Sequence, residues 1–150
     1  MRFTLDTNIL VYAAHRDAGA KHVTALEITR RAVSSDCVLT LQSLSELFRT
    51  LTGPKLKISA VQASEIVQKW RDAIPVVAAD ELCLIDAMDA VVNHGWSFWD
   101  AMIWATAKRN GCRLLISEDG QAGRTLGAVT IVNPFVSDAE SLLEAALGSI

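Results

Sequence analysis

The chain lacks the spacings that mark the common metal and nucleotide sites. Its 3 cysteines, Cys37, Cys83 and Cys112, stand far apart with no C-x-x-C pair. That excludes a disulfide framework and a zinc site. Each cysteine sits in or beside an apolar run and reads as a buried free thiol. The 3 histidines, His15, His22 and His94, form no H-x-x-x-H pair. There is no G-x-x-x-x-G-K-[ST], no G-x-G-x-x-G and no G-x-S-x-G, which argues against nucleotide-cradling loops and serine-hydrolase elbows. No stretch approaches the ~18 uncharged apolar residues of a membrane span; the run from Ile9 to Ala14 is short and follows Asp6. No basic start leads into an apolar run, so no secretory signal is read and the cytoplasm is the expected location. Linkers, repeats and low-complexity segments are missing too.

What is present suits one folded domain over residues 1–150. Apolar residues make up 51% and charged residues 21%, with a net charge of −3. Such a chain is too apolar and too weakly charged for disorder. A domain of this length buries roughly 70% of the surface its unfolded chain exposes.

Short apolar strands alternate with helical patterns. Strands are expected at 2–5, 37–41, 76–78, 113–116 and 129–132. Between them, helices are expected from Ile9, over 20–34, over 43–51, from Ser59 to before Pro75, from Asp80 to Gly95 and over 98–109, with a last one over 137–147. Asn8 or Thr7 is the expected cap of the first helix. Val23, Leu26, Ile28 and Val33 are the expected apolar positions of the second helix, and Leu82, Ile85, Met88 and Val92 those of the Asp80 helix. Asp86 and Asp89 read as its solvated side. The alternation predicts an α/β protein, a three-layer α/β/α sandwich around a central parallel sheet. Ligands of such sheets bind beyond the carboxyl ends of the strands.

Acids occur at the positions this rule singles out. Asp6 follows the first strand and Asp119 follows the 113–116 strand. Glu46 and Asp100 lie in otherwise apolar helices. Each has an ordinary structural explanation. Asp6-Thr7-Asn8 is a plausible turn and cap, and Glu46 stands three residues before Arg49 as an ion pair would. Asp100 follows Ser97 by three as in a capping box, and Asp119-Gly120 is a common turn pair. Together they are harder to explain. Two carboxylates ~5 Å apart repel by about 3 kcal/mol at an effective dielectric near 20. A hard dication such as Mg²⁺ resolves that repulsion and suits phosphoryl-transfer chemistry.

The motifs Asp6-Thr7-Asn8, Ser45-Glu46, Trp99-Asp100-Ala101-Met102-Ile103, Ser117-Glu118-Asp119-Gly120-Gln121 and Asn133-Pro134-Phe135 occur in an order that resembles the PIN-domain family. The resemblance covers nearly the whole chain and is greatest to the VapC-type ribonuclease toxins of prokaryotic toxin–antitoxin pairs. It implies Asp6, Glu46, Asp100 and Asp119 as catalytic, metal-binding carboxylates. Asp6 and Asp100 would be the principal ligands, and Asn8 and Ser117 would orient the site. Glu118 falls in the motif but is set aside, because neighbours at a strand end point in different directions. Gly120 departs from the family pattern, where a larger apolar residue is common. The implied reaction is Mg²⁺- or Mn²⁺-dependent hydrolysis of an RNA phosphodiester, leaving a 3′-hydroxyl and a 5′-phosphate. The implied partners are RNA, a small antitoxin protein and a second copy in a homodimer, with no membrane.

Setting the four acids aside takes the formal charge from −3 to +1, so RNA binding needs only a local basic rim. Arg49, Lys55 and Lys57, and Lys108, Arg109, Arg113 and Arg124, are its candidates. Trp96, Trp99 and Trp104 are either base-stacking or core residues, with core favoured for Trp104. Leu26, Leu44, Leu47, Phe48, Leu51 and Val67 form either an antitoxin-binding patch or core. Two other readings are a catalytically silent PIN-like module that binds RNA or a partner, and a phosphate-accepting α/β regulator with Asp6 as nucleophile.

Overall fold

The computed structural model describes residues 1–119 and 121–148, without the side chain of Ser137. Gly120 therefore lies outside the described residues. The strands are β1 (Phe3–Leu5), β2 (Leu39–Thr40), β3 (Val76–Val77), β4 (Leu114–Ile116), β5 (Thr125–Leu126) and β6 (Val129–Val132). The helices are α1 (Thr7–Ala14), α2 (Ala20–Ala32), α3 (Leu41–Leu51), α4 (Ala60–Ala73), α5 (Glu81–His94), α6 (Phe98–Arg109) and α7 (Glu140–Leu147). One sheet runs β1-β4-β6-β5, and β2-β3 pair in parallel beside it. The two join through a parallel bridge between Phe3 and Cys37, and the Val38 N–H donates to the Phe3 carbonyl.

Alternate residues of the strands face opposite layers, as the pleat requires. Phe3, Leu5, Leu114, Ile116 and Val132 enter a core shared with α1, α2, α3 and α7. Leu115, Val129 and Ile131 enter a second core with α5 and α6. The result is the expected three-layer α/β/α sandwich. Its sheet is mostly parallel, not wholly so. β5 runs antiparallel to β6 across a two-residue turn, in which Gly127 and Ala128 both have positive φ (54° and 67°). Gly127 also packs close to Trp104 and Lys108: a Cβ there would lie 3.2–3.3 Å from their side chains. The Trp104 indole N–H donates to the Leu126 carbonyl at 3.0 Å, anchoring the hairpin to α6.

Several local expectations are corrected. The first helix starts at Thr7, and Asp6, not Asn8 or Thr7, is its N-cap. Leu41 belongs to α3, not to β2, because Thr40 caps that helix through the Ser43 N–H. The buried face of α2 is Ala25, Ile28, Thr29 and Ala32, which leaves Val23, Leu26 and Val33 exposed. On α5 the buried residues are Cys83, Ala87 and Ala90, while Leu82, Ile85, Met88 and Val92 face solvent. The cause is packing of α5 against α6, where Ala87 and Ala90 share a core with Ala101 and Ala105. Small side chains let two helices approach closely, so the larger ones are turned outward. Asp86 is not a solvated acid. It takes Arg109 at 2.7 Å and Lys108 at 3.3 Å, tying α5 to α6. Of the six residues read as either an antitoxin-binding patch or core, Leu44, Leu47 and Leu51 are core, while Leu26 and Phe48 are exposed.

The α6 helix ends as its sequence predicts. Gly111 has φ 78°, the Cys112 N–H reaches the Ala107 carbonyl, and the Gly111 N–H reaches Lys108. This is a Schellman closure, and it turns the chain directly into β4. All three cysteines are buried and free. Burial pushes the Cys112 thiol up to about 12 and the Cys37 thiol up as well.

Candidate functional site

β1 and β4 are adjacent and parallel, with Leu5 opposite Ile116. The residues that follow, Asp6 and Ser117, therefore emerge side by side at the carboxyl edge. Asp6 is almost fully buried. Each of its carboxylate oxygens has a donor: the Thr7 N–H at 2.7 Å on one and the Ser117 hydroxyl at 2.7 Å on the other. Ser117 is a buried hub, since its oxygen also accepts the Asp119 N–H at 3.1 Å and the Asn8 amide at 3.3 Å. Asn8 reaches Asp119 as well, at 3.5 Å. The first turn of α1 and the turn after β4 are thus locked together, as a buried polar network requires of all its members.

Asp100 comes from the first turn of α6. Ser97 occupies the N-cap with extended backbone but makes no side-chain capping bond there. Carboxylate oxygens of Asp6, Asp100 and Asp119 all lie within 4.8 Å of one another. Burial raises the Asp6 carboxyl above its ordinary value despite its hydrogen bonds. Burial also raises Asp100, opposed by a hydrogen bond from Ser97 and aided by the charge of Asp119. Asp119 is pushed up to about 6, by burial first and then by Asp6. Three oxygen donors this close, each made a poorer anion by its surroundings, fit the donor set of a hard divalent cation.

Glu46 stands apart from this group. It lines the same cleft of about 290 Å³, with Asp6, Asp100 and Asp119. Its carboxylate accepts the Thr7 hydroxyl at 2.7 Å and the Gln42 amide at 2.9 Å. It makes no ion pair with Arg49 among the described residues. Gln42, and the reach of Thr7 to Glu46, are what sequence patterns pass over. The signal for Gln42 is its position four residues before Glu46 on one helix face. Glu118 turns away from the cluster. It pairs with Lys21 at 2.8 Å and accepts the Tyr12 hydroxyl. Tyr12, a wall of the cleft, is backed by the edge of Phe135, whose N–H donates to the Asn133 side chain.

The expected basic rim is only partly available. Lys108 and Arg109 are held by Asp86, and the Arg124 guanidinium lies over the Trp96 ring. Trp96 and Trp104 are core; Trp99 is exposed.

A mostly parallel open sheet with a carboxylate cluster beyond its strand ends defines an α/β domain built around an acidic cleft. The chain belongs to the PIN domain family, whose model matches residues 3–125. Comparison with curated proteins finds no match. Among solved structures it is similar to VapC20 of Mycobacterium tuberculosis, a sarcin-ricin loop cleaving toxin. That likeness has a TM-score of 0.63 at 21% identity over 79% of this chain and 90% of that one. A toxin–antitoxin complex from Klebsiella pneumoniae matches with TM-score 0.64 at 16% identity over 88% and 97% of the two chains. DNA-bound VapBC of Salmonella typhimurium matches with TM-score 0.65 at 15% identity over 87% and 96%.

Proposed function

We propose that this chain is a metal-dependent endoribonuclease, the toxin of a toxin–antitoxin pair, working in the cytoplasm as a single domain over residues 1–150. The observation that carries the reading is the trio of carboxylates within 4.8 Å at the sheet edge. Asp6, Asp100 and Asp119 would hold Mg²⁺ or Mn²⁺, with Glu46 completing the site from the α3 side. Bound there, the cation would supply an activated water and offset negative charge on the phosphodiester. The chain's own residues do the rest. Ser117 and the Thr7 N–H fix both oxygens of Asp6, and Asn8 steadies Ser117 and Asp119. Thr7 and Gln42 hold Glu46 toward the cleft. The products would be a 3′-hydroxyl and a 5′-phosphate.

Family membership and the toxin–antitoxin neighbours support the choice of a toxin and of an antitoxin partner. A homodimer is supported by the outward apolar side chains of α5. The cytoplasmic location is supported by three cysteines left as buried thiols, the usual state in a reducing compartment. No helix among the described residues is long and apolar enough to cross a membrane. The test is cleavage of a single-stranded RNA with Mn²⁺, with EDTA, and with the Asp6→Asn variant. Cleavage that needs the metal and is lost in Asp6→Asn supports the reading. Cleavage that survives either treatment sinks it.

A further inference from the structure

A second groove opens beside the carboxylate cleft and shares Glu46 and Thr50 with it. Its walls are the outer face of α3, the turn at Gly53–Lys55 and Trp99 at the start of α6. Trp99 is 62% exposed, whereas Trp96 and Trp104 are buried and Trp70 packs on the core. An indole this open gains little from the fold. It is nevertheless held in place. The Gln42 amide donates to the Trp99 backbone carbonyl at 3.0 Å and to Glu46 at 2.9 Å, which ties the start of α6 to α3 beside the acidic site. The Phe98 ring braces the indole edge-on at 4.8 Å. Across the groove, Arg49 and Lys55 are exposed and make no salt bridge among the described residues.

The geometry points to a single-stranded RNA subsite in this groove: Trp99 stacks the unpaired base flanking the scissile phosphate, while Arg49 and Lys55 take the phosphates of the same strand. The inference rests on the ribonuclease reading and names its substrate class. A strand threaded past Asp6, Asp100 and Asp119 must leave the cleft on some side, and this groove is continuous with it. An aromatic face opposite two cations in one groove suits a strand that offers both bases and phosphates. The acid cluster would repel a negatively charged chain unless cations anchor it nearby, and these two line the adjoining groove. A base can reach Trp99 only if it is unstacked, so loops and single strands are accepted and continuous duplex is not.

Base stacking is made equally in the ground state and the transition state, so its loss raises KM and leaves kcat. The test is multiple-turnover cleavage of a short single-stranded oligoribonucleotide with Mn²⁺. It compares the parent chain, Trp99→Ala and Trp99→Phe, on the intact oligonucleotide and on copies with one abasic nucleotide flanking the cut. Trp99→Ala should raise KM by about 10-fold with kcat held, and Trp99→Phe should restore most of it. On the copy abasic at the stacked position, Trp99→Ala should add nothing further. Arg49→Gln and Lys55→Gln should each lower the slope of log KM against log salt by about 0.7. If the parent cleaves no RNA, the ribonuclease reading falls and takes this subsite with it. If the parent cleaves but Trp99→Ala is unchanged, or loses equally on every abasic copy, the subsite alone is wrong and the groove is left to a protein partner. A fall in kcat without a change in KM also overturns it.

Discussion

The Ser117 hydroxyl donates a 2.7 Å hydrogen bond to the Asp6 carboxylate across 111 positions of sequence. The same oxygen accepts the Asp119 N–H and the Asn8 amide. Ser117→Ala therefore removes one donor and one acceptor from a buried network. The expected cost is about 1–2 kcal/mol of stability, because the Asp119 N–H loses its partner. Mn²⁺ affinity should fall roughly 10- to 100-fold, as when a group that orients a ligand is removed. Thermal melting and metal calorimetry on the purified variant measure both. A variant with parental metal affinity would show that Asp6 needs no such positioning.

Protonation of the cluster gives a second prediction. Asp119 is pushed up to about 6 in the folded chain, and Asp6 and Asp100 are also raised, burial being the first cause in each. A carboxyl whose folded-state value is raised binds more protons folded than unfolded. The metal-free protein should thus lose stability as pH rises from about 4, the ordinary carboxylate value, to about 6, and should lose no more from this group above that. A dication competes with those protons. The gain in melting temperature on adding Mn²⁺ should be small at low pH and should grow through the same interval. Melting curves with and without EDTA across that range check the sign, and a metal-induced shift independent of pH would contradict it.

The parallel sheet explains why part of the site is legible without coordinates. Parallel strands share one carboxyl edge, so Asp6 after β1 and Asp119 after β4 lie on the same edge whatever the strand order, and the observed β1–β4 pairing makes them neighbours. Asp100 is legible as an acid in the first turn of an apolar helix. The standing of Glu46 is not, because a local pattern cannot show the Thr7 hydroxyl reaching across to α3. The outer faces of α2 and α5 are misread for a related reason. Hydropathy favours Val23, Leu26, Ile85 and Met88, but close helix packing selects Ala25, Ala32, Ala87 and Ala90. The β5 strand escapes notice because its turn is Gly127-Ala128, without the Asn-Gly signature of such hairpins.

The outward apolar face of α5 carries the homodimer proposal and can be tested without touching the cleft. Ile85 and Met88 are one turn apart and exposed. Ile85→Asp leaves the α5–α6 core unaltered, since Cys83, Ala87 and Ala90 form it. A charge at the centre of an apolar interface is costly when desolvated. Sedimentation should shift from dimer to monomer while the far-ultraviolet circular dichroism is unchanged. If the parent sediments as a monomer, or if Ile85→Asp stays dimeric, this face is not the interface.

The carboxylate cluster should work against the fold whenever no cation is bound. Asp100 is half-buried, and its carboxylate faces the charge of Asp119. Ser97 makes no side-chain capping bond to the helix N–H groups, and its hydrogen bond to the Asp100 carboxylate can be kept by an Asn amide oxygen. Asp100→Asn keeps the side-chain volume and removes one like charge. In EDTA near neutral pH the variant should melt at or above the parent, by up to about 1 kcal/mol of added stability. With Mn²⁺ present the order should reverse, because the parent gains from the metal and the variant gains far less. RNA cleavage should be lost in the same variant. A stability that drops in EDTA and is unmoved by Mn²⁺ would mean that Asp100 serves the fold and not a cation.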